Sequence, residues 1–169
     1  MLLFALTHQD WDRFSNKAMG GRAVVYPLAL AIIPVAWFVV RRSSAGPVRY
    51  PALADLLFSL PWLIDVGGNA ADAFDQISWF DDAAHFINWA LLAGALAAVL
   101  PRRLGPLLTV ALCAGLGCVA ALGWEIGEYF TFVRGGPEEA TAYGDTLFDM
   151  TLGTSGALLA GVSAAILRR

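Results

Sequence analysis

Residues 23–40 run for 18 positions without a charged side chain. At 1.5 Å per residue a helix of that length extends about 27 Å, close to the ~30 Å hydrocarbon core of a bilayer. A water-soluble domain breaks its apolar residues into shorter periodic stretches. Here long apolar runs recur, mean hydropathy is +0.62 and only 15% of residues are charged, against roughly 25% in soluble domains. The expected fold is therefore all-α, an integral membrane bundle of about five transmembrane helices.

The first expected span, 23–40, contains Pro27 and Pro34 and is closed by Arg41 and Arg42. Proline is tolerated there because neighbouring helices re-satisfy the freed carbonyls. The second, 51–66, carries Asp55, Pro61 and Asp65 and runs out into Gly67-Gly68. The third, 81–100, is stopped by Pro101, Arg102 and Arg103. The fourth, 106–129, is uncharged until Glu125 and Glu128, and the fifth, 145–167, is closed by Arg168 and Arg169. Residues 1–22 lack a basic n-region and an A-x-A cleavage site, so they do not read as a signal peptide. With Phe4, Trp11 and Phe14 among polar residues, they are expected to form an interfacial segment ahead of a transmembrane domain over 23–169.

Basic residues in the short connectors set the orientation. Arg41, Arg42, Arg49, Arg102, Arg103, Arg168 and Arg169 fall on one side; the other connectors hold only Arg134. Arg13, Lys17 and Arg22 in the N-terminal tail pull mildly the other way. The balance predicts a multi-pass protein of the inner (plasma) membrane, N-terminus outside and C-terminus cytoplasmic. Net charge −3 and pI near 5.2 argue against a nucleic-acid partner; membrane lipids are the expected surroundings. Cys113 and Cys118 read as small buried residues inside one span. Small-residue pairs at Gly94/Ala98, Gly123/Gly127 and Gly156/Ala160 predict close helix packing.

With that topology every Asp and Glu except Asp55 lies at the outer side or in an outer helix end. Asp10, Asp12, Glu138 and Glu139 read as solvated, and Trp62, Trp79, Trp89 and Trp124 as an interfacial belt. The remaining acids are patterned. Asp81, His85 and Asn88 repeat at i, i+4, i+7, with Asp82 beside them. Glu125 and Glu128 are three apart, and Asp145 and Asp149 four apart, so each pair shares a helix face. Carboxylates at a helix N-terminus complement its dipole, which accounts for Asp81, Asp82 and Asp145 cheaply. It does not account for Glu125 and Glu128 at a C-terminus, or for Asp149 a turn deep in an apolar span.

Carboxylates clustered in low dielectric repel one another unless protons, basic partners or cations compensate them. With Arg134 as the only basic residue in the two outer connectors, a divalent cation, or strongly raised carboxylate pKa values, is the expected remedy. Oxygen ligands with one imidazole suit Mg, Mn, Ca, Fe or Zn, and helix pairs supplying ligands at i, i+3 and i, i+4 are a known way to build such centres. The expected metal ligands are His85, Glu125, Glu128, Asp145 and Asp149. Asp81 and Asp82 are candidates for a catalytic base, with Asp65, Asn69 and Asn88 as supporting residues around them.

The order D-x-x-x-H (Asp81, His85), W-E-x-x-E (Glu125, Glu128) and D-x-x-x-D (Asp145, Asp149) resembles the bacterial inner-membrane family of the YjdF type. More distantly it resembles the VanZ-like family, associated with low-level glycopeptide resistance. The resemblance covers roughly residues 65–161 and implies a cell-envelope membrane protein with its site at these positions. In one place the chain departs from the pattern: Gly153 stands where an Asp or Asn is expected, four residues after Asp149. The resemblance leaves the reaction open. The residues favour a metal-dependent hydrolase or oxidase acting on a lipid, lipid-linked or small-molecule substrate at the outer face. The alternative is a cation, proton or small-ligand carrier with Asp55 as an inner relay.

Overall fold

The computed structural model describes residues 1–8, 11, 14, 15 and 17–168, with only the backbone of Phe132, Pro137 and Glu138. Asp10, Asp12, Arg13 and Arg169, and the side chain of Glu138, thus lie outside the described residues. No strand occurs among the described residues. The helices are α1 (Leu2–Thr7), α2 (Met19–Ser43), α3 (Ala52–Ala70), α4 (Ala73–Gln76), α5 (Phe80–Val99), α6 (Pro106–Glu128) and α7 (Ala142–Leu167). A π-helical turn, Tyr129–Val133, prolongs α6, and a 3-10 turn, Pro137–Ala140, precedes α7.

Among the described residues four helices are long and apolar enough to cross a membrane: α2, α5, α6 with its extension, and α7. The expected second span corresponds to α3, a helix of 19 residues that carries two aspartates and is not among those four. The expected count of about five is thus not confirmed; four candidate spans are found. The first span is longer than its uncharged run, because Met19 to Arg22 and Arg41 to Ser43 continue the helix at either end.

α7 packs most extensively on α5 and α6, and α3 packs on the other side of α5. α2 is peripheral. It rests on α1 and α3, and only 11% of its apolar window is buried, against 22–33% in the other three spans. The core is built from small residues: Ala93, Ala97, Cys113 and Ala157 form one buried cluster. Gly156 carries the closest approach. A methyl group there would run into the Phe86 carbonyl and lie 3.1 Å from the Ala90 nitrogen, so α7 meets the α5 backbone directly. The other predicted small-residue pairs differ. Gly123 and Gly127 have nothing within 4 Å, and Gly94 touches only Leu57 at 3.4 Å. Both cysteines are free thiols, Cys113 buried.

At the far end, Arg168 donates to the carbonyls of Ala97 and Leu100. It thereby caps the C-terminus of α5, where the helix dipole favours a cation.

Candidate functional site

The C-termini of α3 and α6 and the N-termini of α5 and α7 meet at one end of the bundle, around a cavity of about 1130 Å³. His85 stands at its centre. The residue is buried on α5, and its two ring nitrogens face opposite groups of acids. Nδ1 is 3.6 Å from Glu125 Oε1 on α6. Nε2 is 3.7 Å from Asp81 Oδ1, one turn earlier on α5, and 3.9 Å from Asp149 Oδ1 on α7.

Two groups of ligand atoms therefore converge on the ring: Asp81, His85 and Asp149, and His85, Glu125 and Glu128, each with its atoms within 4.8 Å of one another. The separations exceed the 2.7–3.2 Å of a direct hydrogen bond. Two ligand atoms that share one ion at about 2.1 Å stand roughly 3.0–3.5 Å apart, so the contacts to His85 are within a few tenths of an ångström of that spacing while other pairs, up to 4.8 Å apart, would have to close further. Glu125 Oε1 is buried and has no hydrogen-bond partner. An acceptor left unpaired in low dielectric is costly, and either a proton or a cation would compensate it.

Helical spacing puts these residues there. Asp81 and His85 are one turn apart and Glu125 and Glu128 share the inner face of α6, so each helix offers a pair. Asp145 and Asp149 also share a face, but only Asp149 is buried (3% exposed); Asp145 is exposed and lines the cavity outside both groups. Asp81 is half-exposed, its side chain 49% accessible, and stands at the mouth. Asp82 belongs to neither group and does not line the cavity. Asn88 lines the cavity, its Oδ1 buried without a partner.

Asp65 and Asn69 sit on the α3 wall, apart from His85. Asp65 accepts a hydrogen bond from the Tyr26 hydroxyl (2.7 Å) and pairs with Arg22 (3.3 Å). Asn69 donates to the Asp65 backbone carbonyl. Arg22 also donates to the Tyr26 oxygen and to the Lys17 carbonyl, and Lys17 pairs with Asp75 at 2.5 Å. The expectation of scarce basic partners is corrected here: the N-terminal tail, weighed only for orientation, folds back and supplies Lys17 and Arg22. Arg22 and Tyr26 are i and i+4 on one helix face, a sequence signal that would have marked them. Four carboxylates remain around His85 with no lysine or arginine paired to them among the described residues.

Two expectations about aromatic and small residues also change. Trp89 is buried rather than part of an interfacial belt, while Trp79 is exposed. The Trp89 indole lies against Gly153, where a Cβ would come within 3.0 Å of Nε1. The missing Asp or Asn at 153 thus has a physical reason, because Trp89 fills that side of the site.

Among known proteins, the model of the family described as "Predicted membrane protein (DUF2238)" matches residues 3–169. That is consistent with the likeness to the YjdF type, and the VanZ-like likeness is not shown by it. No curated protein and no solved structure matches the chain.

Proposed function

The chain belongs to the family described as predicted membrane protein (DUF2238), and on that premise we propose that it is a metal-dependent enzyme of the inner membrane. Its substrate is a lipid or lipid-linked head group at the outer face. The observation that carries this reading is His85, buried between carboxylates from three helices, with Glu125 Oε1 left unpaired beside it.

His85 Nδ1, Glu125 and Glu128 would hold the cation. A bound divalent cation supplies Lewis acidity toward an ester or phosphoryl oxygen. The opposite ring nitrogen, Nε2, then keeps its proton and donates toward Asp149 and Asp81, which fixes the ring's tautomer and orientation. Asp81, half-exposed at the mouth, is the group positioned to take a proton from an attacking water. Asp82, outside the cavity lining, is a weaker candidate for that role. Asp145 adds negative charge at the entrance.

The test begins with protein purified in mild detergent and analysed for metals. One divalent ion per chain is expected, and it is lost in Glu125→Gln and His85→Ala. Lipid extract incubated with the protein should then yield a new species that both variants fail to make. A wild type without metal, whose melting temperature neither chelator nor either substitution changes, would sink the proposal. Cation flux into proteoliposomes without lipid turnover would replace the enzyme with a carrier.

A further inference from the structure

The cavity is larger than the ~300–1,000 Å³ usual for small-molecule sites, and it runs deep. From Asp81 at the mouth its wall on α5 continues to Leu92. Those twelve residues span about 16 Å along the helix, roughly half the ~30 Å hydrocarbon core and so one leaflet. Polarity changes with depth. Acids and His85 gather near the mouth, while Pro61, Trp62 and Leu92 form the lower wall.

The side walls are unequal. α3 packs on α5, α5 on α7 and α7 on α6, but α2 makes no comparable packing with α6 or α7 among the described residues. Yet α2 contributes Arg22 and Tyr26 to the lining, and the α6 segment contributes Trp124, Glu128 and Tyr129. Both helices thus line the cavity without comparable packing between them among the described residues. Trp62 and Asn88 line this cavity, although Trp62 Nε1 and Asn88 Oδ1 themselves are buried away from its open space without a hydrogen-bond partner.

We infer that the cavity is entered sideways from the bilayer between α2 and α6, by a membrane lipid. Its head group stands at the His85 cluster and one acyl chain runs down along Pro61, Trp62 and Leu92. Only a ligand already in the leaflet presents an apolar tail at the depth of Leu92 together with polar atoms at the depth of Asn88. The inference relies on the proposed function solely for what happens at the head group; the route and the choice of a lipid stand on the cavity.

Protein in lipid nanodiscs is irradiated with phosphatidylglycerol that carries a diazirine at the end of one acyl chain, and adducts are mapped by mass spectrometry. Adducts are expected at Leu92 and at Pro61–Trp62, with loss of the Leu92 adduct in Leu92→Trp. Unlabelled phosphatidylglycerol should compete, and glycerol phosphate should not. Adducts confined to lipid-facing positions such as Val24 and Leu28, or full competition by glycerol phosphate, would overturn the inference. Glu125→Gln separates the two readings. Retained labelling without metal leaves the lipid route standing on its own; metal without labelling leaves only the metal site.

Discussion

Replacing Gly156 by alanine puts the α5–α7 contact to a direct test. The new methyl would fall on the Phe86 carbonyl and lie 3.1 Å from both the Phe86 carbonyl carbon and the Ala90 nitrogen. These are backbone atoms and cannot rotate aside, so the two helices must separate. Overpacking of this kind costs about 1–3 kcal/mol. Alanine for glycine inside a helix also returns roughly 0.5–1 kcal/mol, a gain that has to be removed from the comparison. Gly123→Ala does this, because Gly123 sits mid-helix on α6 with nothing within 4 Å. The propensity gain is common to both variants, so the difference between them isolates the helix–helix clash. Gly156→Ala should be less stable than Gly123→Ala by about 1–3 kcal/mol, measured as unfolding in mixed micelles by titration with a denaturing detergent and followed by circular dichroism. It should also weaken metal retention, since Asp149 rides on α7 and His85 on α5. Equal stability of the two variants would refute the described backbone approach.

Gly153→Asp adds the acid that the resemblance leads one to expect, yet it should destabilise the protein by about 1–3 kcal/mol without raising metal content, because the Trp89 indole must be displaced. Stable protein with a second ion would contradict that. A double-mutant cycle on Arg22→Ala and Asp65→Asn should give a coupling of about 0.5–2 kcal/mol with metal stoichiometry unchanged, whereas metal loss in either single variant would tie the pair to the His85 cluster. In the α2–α3 connector, the hydrogen bond from the Tyr50 hydroxyl to Asp55 raises the phenol above its ordinary range. Its contribution to stability is complete below the ordinary tyrosine range and lost as pH rises through the raised value. In Tyr50→Phe that segment of the alkaline unfolding curve should flatten, and an unchanged curve would discount the bond.

Apolar run length and the terminating arginines were sufficient to locate four spans, and helical spacing was sufficient to group Asp81 with His85 and Glu125 with Glu128. Both follow from repeats internal to one helix. What depends on how helices lie against one another was less legible. Asp145 and Asp149 share a face in sequence, yet the packing of α7 buries one and leaves the other exposed. Trp89 looks like any interfacial tryptophan until Gly153 comes to lie against it. Arg22 reads as a tail residue because nothing local reveals that α2 begins before it and carries it to Asp65. The charge balance of the site could not be drawn up without that contact.

The order in which the chain is made bears on the α5–α7 interface. Among the four spans α5 has the lowest mean hydropathy, 1.3, yet it carries His85 and Asp81. Its most extensive neighbour, α7, is synthesised last of the long helices. The Arg168 contact that caps it joins residues 71 positions apart. During synthesis, which proceeds from the N-terminus, α5 therefore exists for an interval as the least apolar span, without Glu125 and Asp149 beside His85 and without its cap. The His85 cluster can therefore be assembled only after α7, which carries Asp149, has been made.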